Sequence, residues 1–305
     1  MMPNVSLYIP AYNVEVHIER CIRAALAQTH PFDEILVIDD GSTDRTREIV
    51  NEIAASESTV RLVAHERNSG LGVGRNTGIN SARNELVASL DADTCPEPVW
   101  LATLLSNFED DDKLASAGGM LVESAIFGVA DRFRRAYMFQ HWGNALRRNP
   151  PYMFGSNTVV RRSVIQELGG FDPSMRTNGE DVDMSNRLRE AGYDLLYDPQ
   201  AVVHHHRTDT VKSIFDTQWR WFAFATRMNV LPPRVHRTLS HVSYFFVHSA
   251  WRAVRHARCW IDLPVMALNA ALPFYMSYRQ IQHDFRHVEP TPSTDNAEVL
   301  ETSEV

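Results

Sequence analysis

The chain has 305 residues, of which 44% are hydrophobic and 22% charged, and its formal net charge is -8. This length and apolar content allow one large core, or a core with an accessory region, and exclude a disordered protein. Three widely separated cysteines exclude a disulfide framework and a zinc site, and favour a reducing compartment. The amino terminus has neither a basic flank nor a long apolar run, so we expect no signal peptide and a cytoplasmic protein.

Charge is distributed unevenly along the chain. Residues 1–206 contain 19 Lys and Arg against 29 Asp and Glu, whereas residues 207–288 contain 11 against 4. An acidic first part and a basic, aromatic second part indicate two roles, with the second part facing an anionic surface or substrate. Residues 289–305 contain five acids, no bases and two prolines, which predicts a disordered acidic tail.

The first ninety residues alternate between strand and helix patterns. Apolar runs at 5–9, 35–38, 60–64 and 86–90 predict four strands, and the amphipathic stretches between them predict helices. This alternation is typical of parallel pairing in an open α/β sheet flanked by helices. In such sheets ligands bind beyond the carboxyl ends of the strands.

Two acidic clusters follow strands at that edge of the predicted sheet. Asp39 and Asp40 come directly after the second strand, and Asp91-Ala92-Asp93 comes directly after the fourth. Hard divalent cations take oxygen ligands and share substrate phosphates, so these carboxylates suit a metal and diphosphate site. A solvated turn or a helix cap is the alternative for each cluster alone, because short acidic motifs arise by chance. Two clusters on one edge favour the site.

The middle of the chain, residues 120–156, is rich in aromatic residues interspersed with arginines and predicts a helix. Ordinary amphipathic packing and substrate binding are both open for this helix. A strand at 158–160 and a helix ending at Leu168 are predicted to follow.

A further helix opens at residues 179–183, which contain Glu180, Asp181 and Asp183. The helix dipole favours acids in a first turn, and this explains Asp183; it explains Glu180 and Asp181 less well if these two residues precede the helix proper. A last strand at 201–203 leads into three consecutive histidines. In an extended segment His204 and His206 share one face.

Six stretches of the chain, in the same order, resemble a family 2 glycosyltransferase with the GT-A fold. They are residues 9–13, 37–44, 68–78, 90–93, 169–172 and 179–183. The resemblance covers roughly residues 5–208 and implies a catalytic domain over 1–208, a helical accessory region over 209–288 and the tail over 289–305. The fold it implies is Rossmann-like, a mostly parallel open sheet flanked by helices.

The resemblance also implies a site for a nucleotide-sugar donor, with a UDP-sugar favoured over a GDP-sugar. Carboxylates suit this site because they accept hydrogen bonds from ribose hydroxyls and a uracil imide. The residues it assigns to the donor are Pro10, Ala11, Tyr12, Asp39, Asp40, Arg75, Asp91, Ala92 and Asp93. Asp93 and Asp91 would also bind Mg²⁺ or Mn²⁺, together with His204 or, as the alternative, His206.

Catalysis is assigned by the same resemblance to the pair Glu180 and Asp181. Asp181 is the expected general base, which takes the proton from an acceptor hydroxyl as its oxygen attacks the anomeric carbon. One direct displacement inverts the anomeric configuration and needs no covalent intermediate. The expected acceptor is a glycan or a lipid-linked molecule.

The basic second part of the chain carries a near match to a motif of processive family members. Processive members carry Gln-X-X-Arg-Trp, and residues 218–221 read Gln-Trp-Arg-Trp, one residue too short. We therefore expect transfer of a single sugar, with Trp219 and Trp221 either stacking on the acceptor or packing between helices. No segment here clearly spans a bilayer, and the basic, aromatic pattern predicts helices at the cytoplasmic face of a membrane.

Two rival functions fit parts of the pattern, and no nucleic acid partner is expected. A nucleotidyltransferase usually has a basic, glycine-rich phosphate loop near its first strand, but residues 10–13 contain no lysine or arginine. A non-catalytic glycosyltransferase-like protein that only binds a nucleotide sugar is the other rival. Retention of Asp93, Asp181 and His204 argues against it.

Overall fold

The computed structural model describes residues 3–109, 111–227 and 262–286. Within these residues the chain forms nine strands and nine helices. The strands are β1 Val5–Ala11, β2 Glu34–Asp39, β3 Val60–Ala64, β4 Leu86–Leu90, β5 Thr94–Pro96, β6 Leu114–Glu123, β7 Arg147–Arg148, β8 Asn157–Arg161 and β9 Asp194–His205. The helices are α1 Ile18–Leu26, α2 Thr46–Ser56, α3 Leu71–Ser81, α4 Trp100–Ser106, α5 Val129–Tyr137, α6 Arg162–Glu167, α7 Glu180–Glu190, α8 Val211–Arg227 and α9 Leu263–Arg286.

All nine of the described strands join one sheet, in the order β3-β2-β1-β4-β8-β6-β9-β5, with β7 on β9. Strands β1 to β4 pair in parallel, as the sequence predicts, and β6 is parallel to β9. Strand β8 runs antiparallel to both β4 and β6. The chain leaves β6 and enters β8 at the carboxyl edge of β4, but between them it crosses to the other edge, where β7 pairs with Tyr197 and Leu196 near the start of β9.

Helices cover both faces of the sheet. Alternate residues of a strand point to opposite faces, so a strand that is apolar throughout has apolar side chains on both. Leu7 and Ile9 of β1 pack with residues of α1, α2 and α4 on one face. Tyr8, between them, packs with residues of α3, α6 and α7 on the other. Helix α3 approaches β1 closely at Gly78, where a Cβ atom would lie 2.4 Å from Cγ of Tyr8. The apolar runs of β1, β2 and β4 are therefore strands buried on both sides, whereas only Val60 of the edge strand β3 is buried.

The structure differs from the sequence prediction over residues 120–156, where only α5 is helical. Strand β6 continues to Glu123, and the residues after Tyr137 are irregular apart from β7. Small residues allow β6 to be a central strand: a Cβ atom on Gly119 would lie 1.8 Å from the carbonyl oxygen of Ala201. The prediction was wrong because it relied on the abundance of aromatic residues and not on their period.

The helix predicted to open at residues 179–183 is α7, and Glu180 and Asp181 belong to its first turn, after Gly179, whose φ of 92° is left-handed. Strand β9 differs from the prediction: it starts at Asp194, seven residues before the predicted strand, and includes His204 and His205. Both histidines therefore lie within the strand and point to opposite faces.

The described residues fall into two units divided between Ile214 and Phe215. In the second unit, Asp216 of α8 accepts hydrogen bonds from Tyr275 and Arg279 of α9. No helix among the described residues is both long enough and apolar enough to cross a membrane. The division into 1–208 and 209–288 stays a prediction, and the predicted tail at 289–305 lies outside the described residues.

The close approach at Gly119 gives a test of the sheet. We expect Gly119→Ala to lower the free energy of unfolding by about 2–3 kcal/mol, because the added methyl group overlaps the backbone of Ala201. Gly74→Ala is the matched control: its Cβ atom would meet only Pro10, at 4.0 Å, inside helix α3. That substitution should be neutral or stabilising. Urea denaturation measures both, and equal effects would contradict the packing described.

Candidate active site

The candidate site lies at the carboxyl edge of the parallel strands. The ends of β1, β2 and β4 carry Tyr12, Asp39-Asp40 and Asp91-Asp93, and the end of β9 lies beside β5. The start of α7 brings Asp181 to the same edge, since its carboxylate accepts a hydrogen bond from the amide of Gly155, just before β8. The fold therefore brings Asp91-Ala92-Asp93 and Glu180-Asp181 to one edge of the sheet, although they are about ninety residues apart in the sequence.

The carboxylates of Asp39 and Asp40 both bond to other residues of the protein. The Asp40 carboxylate accepts hydrogen bonds of 2.8 Å from the amides of Ser69 and Gly70, and its Oδ1 lies 2.7 Å from Nδ1 of His65. Asp39 is fully buried and pairs with Arg47. These contacts shape the loops beyond β2 and β3, and the predicted contacts of both acids with a nucleotide stay predictions.

The other predicted donor-binding residues differ in how far their side chains are exposed to solvent. Tyr12 is 47% exposed, whereas Ala11 and Ala92 are buried and Pro10 is half-buried. Tyr12 is therefore the side chain of this group with surface to offer a planar ligand. The alanines line the edge through their backbone.

Arg75 is buried at the centre of the site and joins four parts of it. Its Nε donates to Oε1 of Glu180 at 2.9 Å, and its Nη1 donates to Ser89 Oγ and to the carbonyl of Gly155, both at 2.8 Å. Nη2 lies 3.4 Å from Oδ1 of Asp91. The side chain is 2% exposed. Arg75 was predicted as a donor ligand, but here its guanidinium connects the two acidic motifs to each other.

The two acids at the start of α7 have different environments. Glu180 is 2% exposed, and its Oε2 has no hydrogen-bond partner. Burial, together with the charge of Asp181, raises the pKa of Glu180 to about 7, although Arg75 opposes this. Asp181 is half-buried, with Oδ2 3.1 Å from the amide nitrogen of Gly155. Of this pair, Asp181 therefore has the more accessible carboxylate.

Asp91 and Asp93 both have solvent-accessible carboxylates, with side chains 39% and 21% exposed. Oδ2 of Asp93 lies 3.2 Å from Nε2 of His205, and Nδ1 of His205 lies 2.9 Å from Glu123. Burial alone would lower the pKa of His205, but the charges of Asp93 and Glu123 raise it to about 9. In turn His205 outweighs the effect of burial on Asp93 and holds the pKa of Asp93 well below its usual value.

The structure brings His205 to Asp93, and not the predicted His204 or His206. Nδ1 of His204 lies 2.8 Å from Oγ of Ser124, and its Nε2 lies 3.1 Å from Glu97. The reason is that β9 continues through His205, so His204 and His205 point to opposite faces. His206 meets Asp93 only through its backbone amide, at 2.9 Å from the carbonyl oxygen of Asp93. The sequence could not reveal which face would meet Asp93.

Trp219 and Trp221, the predicted acceptor residues, lie in the second unit. Trp219 is 7% exposed, and the guanidinium of Arg279 lies 5.8 Å from the centre of its ring. Trp221 is half-buried. Trp219 therefore packs between α8 and α9, the alternative that the sequence left open, and offers little surface for stacking on a sugar.

Fold and site together define the class of protein as a glycosyltransferase with the GT-A fold. The mannosyltransferase PcManGT of Pyrobaculum calidifontis, solved with GDP-Man and Mn²⁺, superposes with a TM-score of 0.56 at 19% identity, covering 95% of this chain and 77% of that chain. GalNAc-T7, solved with UDP, GalNAc and Mn²⁺, has a TM-score of 0.56 at 16% identity, covering 95% and 58%. At these identities the likeness concerns the fold alone.

The family model of glycosyl transferase family 2 matches residues 6–169, and the chain belongs to this family. Glycosyltransferase AglE of Haloferax volcanii is 29% identical over 207 residues, which are 67% of this chain and 67% of AglE. The probable glycosyltransferase YdaM of Bacillus subtilis is 30% identical over 231 residues, 72% of this chain and 54% of YdaM. The chain thus spans about half the length of YdaM.

The central position of Arg75 can be tested by removing its charge. We expect Arg75→Met to lower the free energy of unfolding by about 3–5 kcal/mol, because Glu180 would remain buried without its partner. The double variant Arg75→Met/Glu180→Met should recover much of this loss. Chemical denaturation measures both variants.

The control for this prediction is Arg23→Met, which removes an exposed ion pair with Glu19. We expect this control to cost less than about 1 kcal/mol. If Arg75→Met cost no more than Arg23→Met, the buried ion pair would not stabilise the site.

Proposed function

We propose that this protein transfers one sugar from a nucleoside diphosphate sugar to a hydroxyl of a glycan or lipid-linked acceptor, with inversion at the anomeric carbon. The observation that carries the proposal is the half-buried carboxylate of Asp181, oriented by Gly155 and joined through Arg75 to Asp91. Asp181, as the base, and Asp91, as a carboxylate on the diphosphate side of the donor, would thereby lie at one edge of the GT-A sheet. A UDP-sugar is the favoured donor and a GDP-sugar the alternative.

The proposed reaction is a single displacement at the sugar. Asp181 accepts the proton of the acceptor hydroxyl while the oxygen forms a bond to the anomeric carbon and the bond to the diphosphate breaks. Glu180 is a poor candidate for this step, since it is buried and bonded to Arg75. The inversion and the transfer of a single sugar follow from the family resemblance and belong to the proposal.

The donor set at the end of β4 fits a divalent cation. Asp91 and Asp93 are accessible carboxylates, the ligands that Mg²⁺ and Mn²⁺ share with substrate phosphates and water. Among the described residues, no three His, Cys, Asp or Glu side chains surround a common metal position, so substrate would supply the remaining ligands. Asp93 and Asp91 would hold the ion, whose charge would offset that of the departing diphosphate, while His205, held by Glu123, orients the carboxylate of Asp93.

The same site opposes the two rival functions. A nucleotidyltransferase usually has a basic side chain near β1 that binds the phosphates. Arg75, the arginine of the six motif stretches, is instead hydrogen-bonded to other residues inside the protein. A binding protein without turnover has no need of an oriented carboxylate at position 181. Solved GT-A neighbours carry GDP-Man with Mn²⁺ or UDP with Mn²⁺, which agrees with a nucleotide-sugar donor.

We expect Asp93→Asn to abolish Mn²⁺-dependent binding of UDP or GDP, because an amide cannot replace the anionic ligand. Asp181→Asn should bind the nucleotide like the parent protein but transfer sugar about 10²–10⁴-fold more slowly. Calorimetric titration of each nucleotide with and without Mn²⁺ gives the first result, and turnover of the bound donor gives the second. Transfer at the parent rate by Asp181→Asn would refute the base assignment.

We also propose that the second unit associates with the cytoplasmic face of a membrane. Ala267, Ala271, Phe274 and Tyr278 recur on α9 at three- and four-residue spacing and are exposed, Phe274 by 69%. Residues 207–288 have an excess of basic residues, which complements an anionic lipid surface.

The membrane proposal predicts that the protein floats with phosphatidylglycerol vesicles in a density gradient, and that Phe274→Glu reduces the floating fraction several-fold. Phosphatidylcholine vesicles are the control for charge and should bind less protein. Equal flotation of parent and variant would argue against the helix face as the contact.

A further inference from the structure

We propose that Tyr152 is the acceptor-binding residue of this enzyme, and that its ring and hydroxyl hold a neutral sugar ring of a glycan against Asp181. This inference rests on the proposed function and names its acceptor class. It replaces Trp219, which is buried between helices, as the aromatic contact of the acceptor.

Residues 149–156 lead from the start of β9, where the amide of Asn149 donates to the carbonyl of Leu195, to the active edge. Because β8 runs antiparallel to β4, Asn157 pairs with Leu90, the residue before Asp91. Tyr152 lies on this path, close enough to Asp181 for the charge of that carboxylate to act on its phenol.

Two backbone contacts fix this segment on the first two turns of α7, on either side of residue 154. The amide of Met153 donates to Oγ of Ser185 at 3.0 Å, and the amide of Gly155 donates to Asp181 at 3.1 Å. Ser185 itself donates to the backbone carbonyl of Asp181 at 2.7 Å. Tyr152 therefore immediately precedes a segment that is hydrogen-bonded to the proposed base.

Aromatic neighbours hold Tyr152 in one orientation. Nε1 of Trp142 donates to the carbonyl of Tyr152 at 2.8 Å, and the two rings meet edge to face at a centroid distance of 5.0 Å. Phe154 meets the Tyr152 ring edge to face at 5.2 Å and stacks on Trp142 at 5.5 Å. A ring packed in this way is ordered before the substrate binds, which lowers the entropic cost of binding.

The hydroxyl of Tyr152 is available to a ligand. It makes no hydrogen bond within the part of the chain that the structure describes, and the residue is half-buried. Tyr197 and Tyr193, by contrast, donate to the carbonyl of Gly143 and to Glu167. Burial and the nearby charge of Asp181 raise the pKa of Tyr152, so the phenol is neutral and both donates and accepts hydrogen bonds.

The surroundings of Tyr152 favour a neutral sugar over a phosphate group. Arg148 is paired with Asp111 and Asp194, and Arg147 lies over the ring of Trp142. Arg75 is buried beneath Gly155. An aromatic ring with a neutral hydroxyl, beside a carboxylate, matches the apolar face and the hydroxyl groups of a pyranose.

The test compares Tyr152→Phe with Tyr193→Phe, which removes one hydroxyl from a surface tyrosine. Methyl glycosides of glucose, galactose, mannose and N-acetylglucosamine are titrated by saturation-transfer NMR in the presence of UDP and Mn²⁺. We expect at least one glycoside to bind the parent, with a Kd about tenfold higher for Tyr152→Phe and unchanged for Tyr193→Phe. The Kd for UDP should be the same in all three proteins.

Tyr152→Ala should weaken glycoside binding further, and Tyr152→Phe keeps the test valid if the alanine variant unfolds. The inference is wrong if no glycoside binds the parent, if Tyr152→Phe binds as tightly as the parent, or if farnesyl phosphate binds in place of the glycosides. Failure of the parent to bind UDP or GDP would instead refute the proposed function. The two failures are therefore distinguishable.

Discussion

The buried guanidinium of Arg75 is the interaction on which the arrangement of the site depends. It bonds to Glu180, to Ser89, to the backbone of Gly155 and, more weakly, to Asp91. Burying a charge is costly unless it is paired and hydrogen-bonded, and Glu180 supplies the countercharge. The end of β4, the entry to β8 and the start of α7 must therefore remain together, because separating them would leave a buried charge without partners.

This constraint also separates the roles of two adjacent acids. Glu180 faces inward and forms an ion pair with Arg75. Asp181, in contrast, accepts a hydrogen bond from the amide of Gly155 and is partly accessible to solvent. The same peptide, Gly155, accepts from Arg75 through its carbonyl and donates to Asp181 through its amide. Arg75 thereby positions the carboxylate of Asp181, the proposed base, through the backbone of Gly155.

Much of the fold was predictable from local pattern. The four apolar runs of the first ninety residues are β1 to β4; β1, β2 and β4 are buried on both faces and so are continuously apolar, while β3 is an edge strand that is apolar apart from Arg61. The sites of the acidic motifs follow from the rule that parallel strands bring their carboxyl ends to one edge. Beyond β4 the pattern predicted β8, α6, α7 and the end of β9, but it failed over residues 114–156: β6 contains the small residues Gly118 and Gly119, which carry no apolar signal, and the aromatic residues after it predicted a long helix where the structure has only α5, which ends at Tyr137.

The sequence by itself determined the class of fold, the family, and the two acidic motifs at the active edge, because each depends on residues near one another in the chain. Tertiary structure alone decided which of the neighbouring side chains face the site. His205 and not His204 meets Asp93 because β9 continues through His205, two residues beyond the predicted strand, so that the two side chains point to opposite faces; Glu180 turns inward because Arg75, 105 residues away, requires a partner. Tyr152 reaches the edge because β8 runs antiparallel to β4. Such choices depend on strand direction and on charge pairing across the fold, and neither has a local signature.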